Sequence, residues 1–468
     1  VNLTLIIHRA ARWRKYNVIV LALFLAGVAS CSQHGTTPAP PGRRVVVVGF
    51  DGMDPRLCSR LMDEGKLPNL AKMRAEGGFK PLGTSIPPQS PVAWSNFITG
   101  ADPGVHGIFD FVHRDPSRQC APYYSAAETV EGDLGWEVGD YNIPLNFWPF
   151  DQKPAQTLLR REGIPFWDYL DEAGVDVHIY DIPANYPPSK SKHGHVSCLS
   201  GMGTPDLLGS LGGESQFFGE GETSRSVGGG YIEPIKFVRD KAEIKLLGPE
   251  HTFLQLPERV TIDVTVYRDV KQKSARIEWQ GQMILLKEGE WSDWCRLDYA
   301  LRMPPFLPTS HAKGICRFYL QQVSGSFRLY VTPINIDPSD PAGQVISEPE
   351  DFVTEISDSL GLFYTTGFQE DHKALSNKIF SDEEYHKQAD YVLKERLTLF
   401  DYAKRTYDDG LLFFYFSSTD LQAHMFWWDS DKKHPIRTPE MAKKYQGVIE
   451  DLYQRMDGVV GDVLAAYG

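Results

Sequence analysis

Three short stretches place residues of reactive type where a fold could use them. Asp51 follows the apolar run Val45 to Phe50 directly and is itself followed by Gly52. The carboxyl ends of strands in open α/β sheets are where ligands bind. A carboxylate there, beside a glycine that permits close approach, is a hard oxygen ligand for a divalent cation. A chain turn or a helix cap would use the same residue. Ser90 precedes Pro91, a pairing that reads as N-cap and first helical position. A hydroxyl at a helix N-terminus meets free N–H groups and the positive end of the dipole, which favour an alkoxide and an incoming anion. An ordinary helix start has this pattern too. Asp420 and His424 stand four apart just beyond the apolar run Leu411 to Phe416. On a helix opened by a Thr419–Gln422 capping box they would share one face and one metal ion.

These residues need a scaffold that brings strand ends together. Val45 to Phe50 and Leu411 to Phe416 are continuous apolar runs, the pattern of parallel strands buried on both faces. Helices are expected from Asp54-Pro55 to Gly65, from Pro68 to Glu76, from Phe166 to Glu172, and from a Ser381–Glu384 capping box to Tyr407. A last helix should begin at Thr438-Pro439 with the stripe Tyr445, Val448, Leu452, Met456, Val459 and Val463. Strands alternating with helices predict an α/β fold with a doubly wound, mainly parallel sheet. Between these parts, alternating runs at Val260 to Tyr267, Ala275 to Trp279 and Phe318 to Gln322, with a turn at Ser324-Gly325-Ser326, predict a β-rich insertion. The expected divisions are 1–31 signal peptide, 32–43 tether, 44–225 first part of the core, 226–345 insertion and 346–468 second part.

Arg9, Arg12, Arg14 and Lys15 precede a short apolar run, Val18 to Ala26. Val28-Ala29-Ser30-Cys31 then resembles the lipobox of bacterial lipoproteins, with Cys31 the lipidated residue. A plain signal peptide with an incidental cysteine is the alternative. Ser32 fits sorting to an outer membrane, with the body facing the periplasm or cell surface. The remaining cysteines (Cys58, Cys120, Cys198, Cys295 and Cys316) are scattered, with no C-x-x-C spacing. A net charge of −13 argues against a basic surface for nucleic acid. It leaves room for anionic substrates held through cations.

In order and spacing, Gly49-Phe50-Asp51-Gly52-Met53, Leu67-Pro68-Asn69-Leu70, Ser90 through Thr99-Gly100, Pro103 through Ile108, Gly201 through Asp206 and His424-Met425-Phe426-Trp427 resemble the alkaline phosphatase superfamily. Within it they are most similar to the type I phosphodiesterase and nucleotide pyrophosphatase branch. The resemblance implies an alkaline phosphatase-like core and two divalent metal ions, zinc in most of the family. It makes Ser90 the nucleophile and a ligand to one ion with Asp51, and Asp420 and His424 ligands to the other. The substrate would be a small phosphate ester, cleaved through a phosphoseryl intermediate. The family's Ser-Asp-His-Gly segment and its final histidine have no counterpart up to Gly468, so the expectation is a truncated, inactive chain with Tyr445 and Leu452 partly uncovered. His434 is a candidate for the substrate cleft. His106 reads as a histidine satisfied within the fold, and Phe111 stands where family members often place a phosphate-holding Asn. A phosphomonoesterase or phosphonate hydrolase of the same superfamily, or a non-catalytic surface lipoprotein, are the rival readings. A sulfatase is disfavoured, because Val92-Ala93-Trp94 after Pro91 lacks the required Arg.

Overall fold

The computed structural model describes residues 44–468 apart from 117–119, 131, 133–134, 144–155 and 342. The expected signal peptide, Cys31 and the tether lie outside the described residues. The rest is a mixed α/β structure. Its central sheet has five strands in the order Val45–Phe50, Leu411–Phe416, Val177–Tyr180, Val196–Leu199 and Ser347–Glu348. The first four run parallel, and the short last one is antiparallel to its neighbour. Parallel strands need crossovers, so residues adjacent here come from distant parts of the chain.

The two apolar runs fare differently. Leu411–Phe416 is central, with Leu412, Phe413, Phe414 and Phe416 fully buried. Each side chain of this size stabilises the fold by roughly 1.5–3 kcal/mol. Val45–Phe50 is the edge strand, and only Gly49 in it is fully buried. The expectation of burial on both faces fails because no strand among the described residues pairs with its outer edge. Its two faces are still partly used. Val46, Val48 and Phe50 pack toward Leu452, Met456 and Val459, while Val47 joins Trp94, Ile179 and Phe413.

Helices cover the sheet as their end signals require. Asp382–Thr406 begins in a complete capping box between Ser381 and Glu384, and lays Phe400 against Phe414 and Phe416. The single C-terminal helix expected from Thr438 is two helices, Pro439–Lys444 and Val448–Tyr467. The break falls at Gly447, whose φ of 89° only glycine adopts without strain. Beyond it Leu452, Met456 and Val459 are buried as the stripe predicts; Leu452 is 1% exposed, so the expected loss of its cover is not seen. Asp457 on this helix accepts the Asn69 and Leu70 N–H groups at 3.2 and 2.7 Å. It thereby caps Pro68–Glu76, a helix whose own N-cap side chain makes no such bond.

The strands between Ser215 and Ile336 form sheets of six, four and three strands. They surround a core that includes Val264, Ile277, Trp279, Phe318 and Leu329. Ser215–Gly219 already pairs with Arg328–Val331, and the hairpin around Gly325 joins Phe318–Gln322 to that strand. These sheets meet the helical layer through a chain of charges. Glu395 accepts from Trp294 Nε1 at 3.1 Å and from Arg317 at 3.4 Å, while neighbouring Arg396 pairs with buried Asp181.

Candidate active site

Asp51 lies at the carboxyl end of the edge strand, one residue past the pleat. Its N–H still bonds Phe416 O at 3.1 Å, which keeps it in register with the next strand. Its carboxylate is held from two sides. The Tyr415 hydroxyl donates to Oδ2 at 2.6 Å, and Trp94 Nε1–H donates to Oδ1 at 3.3 Å. Tyr415 ends toward this carboxylate because Leu411–Phe416 runs parallel to the Asp51 strand, with Gly49 opposite Tyr415. Trp94 approaches over Gly49, where a β-carbon would sit 2.6 Å from the indole.

Ser90 begins the helix Ser90–Thr99. Gln89 occupies the N-cap position, so Ser90 is the first helical residue, not the N-cap expected from Ser-Pro. Ser90 is half-buried and still stands in the first turn. Trp94 is one helical turn beyond it, so the Trp94–Asp51 bond ties the start of this helix to the metal-ligand candidate. A left-handed Gly100 (φ 64°) closes the helix.

Asp420 and His424 lie on the helix Ser418–Ser430, which starts at Ser417 without the side-chain capping box expected from Thr419 and Gln422. Asp420 Oδ2 and His424 Nε2 are 3.5 Å apart, on one face as the i, i+4 spacing predicts. The His424 side chain is 68% exposed. Asp420 packs against the turn after Asp51. At Gly52 (φ 63°) a β-carbon would lie 2.7 Å from Asp420 Oδ1 and 2.9 Å from its Cα. Burial, and then the negative charge of Asp51, push the Asp420 carboxyl up to about 6, with His424 opposing the rise. Two carboxylates held this close repel each other unless a cation lies between them.

The donors fit divalent cations at this strand end as two part-sets, Asp51 with Tyr415 and Trp94 orienting it as outer partners, and Asp420 with His424. No cluster of three or more His, Cys, Asp or Glu arranged to hold a metal ion occurs among the described residues. The described residues thus supply part of each ligand set and complete neither.

The other candidates separate cleanly. His434 is in the turn after the Asp420 helix, its N–H on Asp431 O at 3.0 Å. His106 is fully buried, with Nε2 2.6 Å from the Asn96 amide and Nδ1 accepting the Ile108 N–H at 3.1 Å. Burial lowers its pKa, as expected of a structural histidine. Sequence reasoning missed Trp94 and Tyr415. The signal for Tyr415 was a lone hydroxyl in an otherwise wholly apolar strand. Reasoning also missed a polar nest beneath the Asp420 helix. Glu370, 1% exposed, accepts from the Tyr385 hydroxyl at 3.2 Å, and Ser418 and Gln422 complete its surroundings. Tyr385 also reaches Leu421 O at 3.3 Å, which fastens the nest to the helix between Asp420 and His424.

A strand-end carboxylate, a second carboxylate on a nearby helix and a serine in the first turn of another helix are the residue types that phosphoester hydrolysis uses. The family model of type I phosphodiesterase / nucleotide pyrophosphatase matches residues 45–243, which include Asp51 and Ser90 and precede Asp420. The match spans less than half of the chain and supports a phosphoester hydrolase of this type. Neither the curated proteins nor the solved structures contain a significant match to the chain.

Proposed function

We propose that the protein is a metal-dependent hydrolase of phosphodiester or nucleotide pyrophosphate bonds, with Ser90 as nucleophile. The observation that carries this reading is the convergence of Asp51 and Asp420 at Gly52, with the Ser90 helix tied to Asp51 through Trp94. The family match over residues 45–243 supports it independently. Asp51 and Ser90 would hold one ion, and Asp420 with His424 the other, zinc being the metal that mixed Asp/His ligands suit. Bound metal supplies a lowered hydroxyl pKa and neutralises phosphate charge.

The chain's own residues do the rest. The Ser90 oxygen forms a bond to phosphorus as the bond to the leaving oxygen breaks, and the electron pair departs with that oxygen. The helix N-terminus favours the alkoxide before attack and the phosphoseryl group after it. Tyr415 and Trp94 fix both oxygens of Asp51, so the carboxylate need not reorganise when charge develops. Water then cleaves the phosphoseryl ester and restores Ser90. We further propose anchoring through lipid on Cys31, with the body outside the cytoplasm.

Ser90→Ala tests the reading. Turnover of a bis-aryl phosphate should fall to background while the circular dichroism spectrum and zinc-dependent thermal shift persist. Activity within a few-fold of the parent would remove Ser90 as nucleophile. Preference for an aryl monophosphate over the diester would move the assignment to a phosphomonoesterase.

A further inference from the structure

A second concavity, of about 860 Å³, opens at the other end of the helix that carries Asp420. Asp429 lines it from the last turn of that helix, nine residues and roughly 13 Å of helix axis from Asp420. Three separate segments turn cations into this space. Arg60 comes from the helix Pro55–Asp63, Lys432 and Arg437 from the loop after Ser430, and Lys443 from the helix Pro439–Lys444. Lys66 also lines it but is already held between Glu64 and Glu450 at 3.0 and 2.7 Å. Asp429 accepts the Gly447 N–H at 2.9 Å, and its charge offsets part of that of Arg437.

Four basic side chains thus line one hollow in a protein whose net charge is −13. Arg60 has one loose partner, Glu64 at 3.9 Å, and Arg437 Nε is buried without a hydrogen-bond partner. Arg60 and Lys443 each stand in the last turn of their own helix, where the dipole favours a cation, and Lys432 follows the end of a third; that preference explains each residue singly and not their convergence on one hollow. Gathering like charges costs Coulomb energy that a bound anion offsets, and concave walls focus the field. The size suits a small molecule.

We infer that this hollow is a binding site for a compact, multiply charged phosphate anion of the pyrophosphate class, separate from the Asp51–Asp420 site. Arg437 provides the directional N–H donors, and Lys432 and Lys443 act as mobile point charges at its rim.

The test is calorimetric titration of inorganic pyrophosphate into the purified chain in buffer containing EDTA, which removes any contribution from metal-held phosphate. One equivalent should bind, with affinity that falls steeply as salt is added. The paired change Lys432→Gln/Lys443→Gln, at two exposed lysines, should weaken binding at least tenfold, and Arg437→Gln should do the same. Asp420→Asn should leave it unchanged, so loss of this binding and loss of catalysis are independent outcomes. No binding by the parent chain, or equal affinity in the lysine variant, would overturn the proposal.

Discussion

The Tyr415 hydroxyl donates to Asp51 Oδ2 at 2.6 Å, across two adjacent parallel strands that are more than 350 residues apart in the chain. This bond makes the orientation of Asp51 a property of the sheet instead of its own rotamer. Tyr415→Phe keeps the ring, which packs edge-on against Trp94, and removes only the donor. Outer-shell bonds of this kind are worth about 10–100-fold in metal affinity. Zinc titration of the variant should show a loss in that range with an unchanged far-ultraviolet spectrum; parental affinity would show that Trp94 alone orients Asp51.

Gly52 sets how closely Asp420 approaches Asp51. Its φ of 63° and the 2.7 Å gap to Asp420 Oδ1 leave no space for a methyl group. Gly52→Ala should cost about 1–3 kcal/mol of stability through backbone strain. It should also push Asp420 away, so activity falls further than stability does. Denaturant unfolding and turnover measured together check this, and a stable variant with parental turnover would contradict it.

Burial pushes the Glu370 carboxyl up to about 8. In the unfolded chain it ionises near its ordinary value, so between roughly pH 4.5 and 8 the folded state binds the extra proton. Stability from this group is therefore complete below that window and declines as pH rises through it. Glu370→Gln keeps a neutral hydrogen-bonding side chain and removes the titration. Thermal unfolding should show a flatter pH profile for the variant, which becomes relatively more stable toward pH 8. Parallel profiles for the two proteins would rule out a protonated Glu370.

The parts of this architecture visible in the sequence were those that local chemistry dictates. The capping box at Ser381, the apolar strand Leu411–Phe416 and the i, i+4 pair Asp420–His424 all depend on neighbours within a few residues. Val45–Phe50 was legible as a strand but not as an edge, because edge position depends on which other strands pair with it. Trp94 and Tyr415 were hidden because aromatic residues in apolar runs read as core; the parallel register aims Tyr415 at Asp51, and the packing of the Ser90 helix over Gly49 aims Trp94. Glu370 gave no signal at all; its partners, Tyr385, Ser418 and Gln422, are assembled by tertiary contact. Gly447 could have been read as a break, but the apolar stripe continues on both sides of it.

The most direct measurement of the central claim is anomalous diffraction from crystals soaked in zinc. A peak is expected about 2.0–2.2 Å from a carboxylate oxygen of Asp51, and a second at that distance from a carboxylate oxygen of Asp420. Zinc bound elsewhere on the chain, with neither Asp51 nor Asp420 in contact with it, would contradict the account.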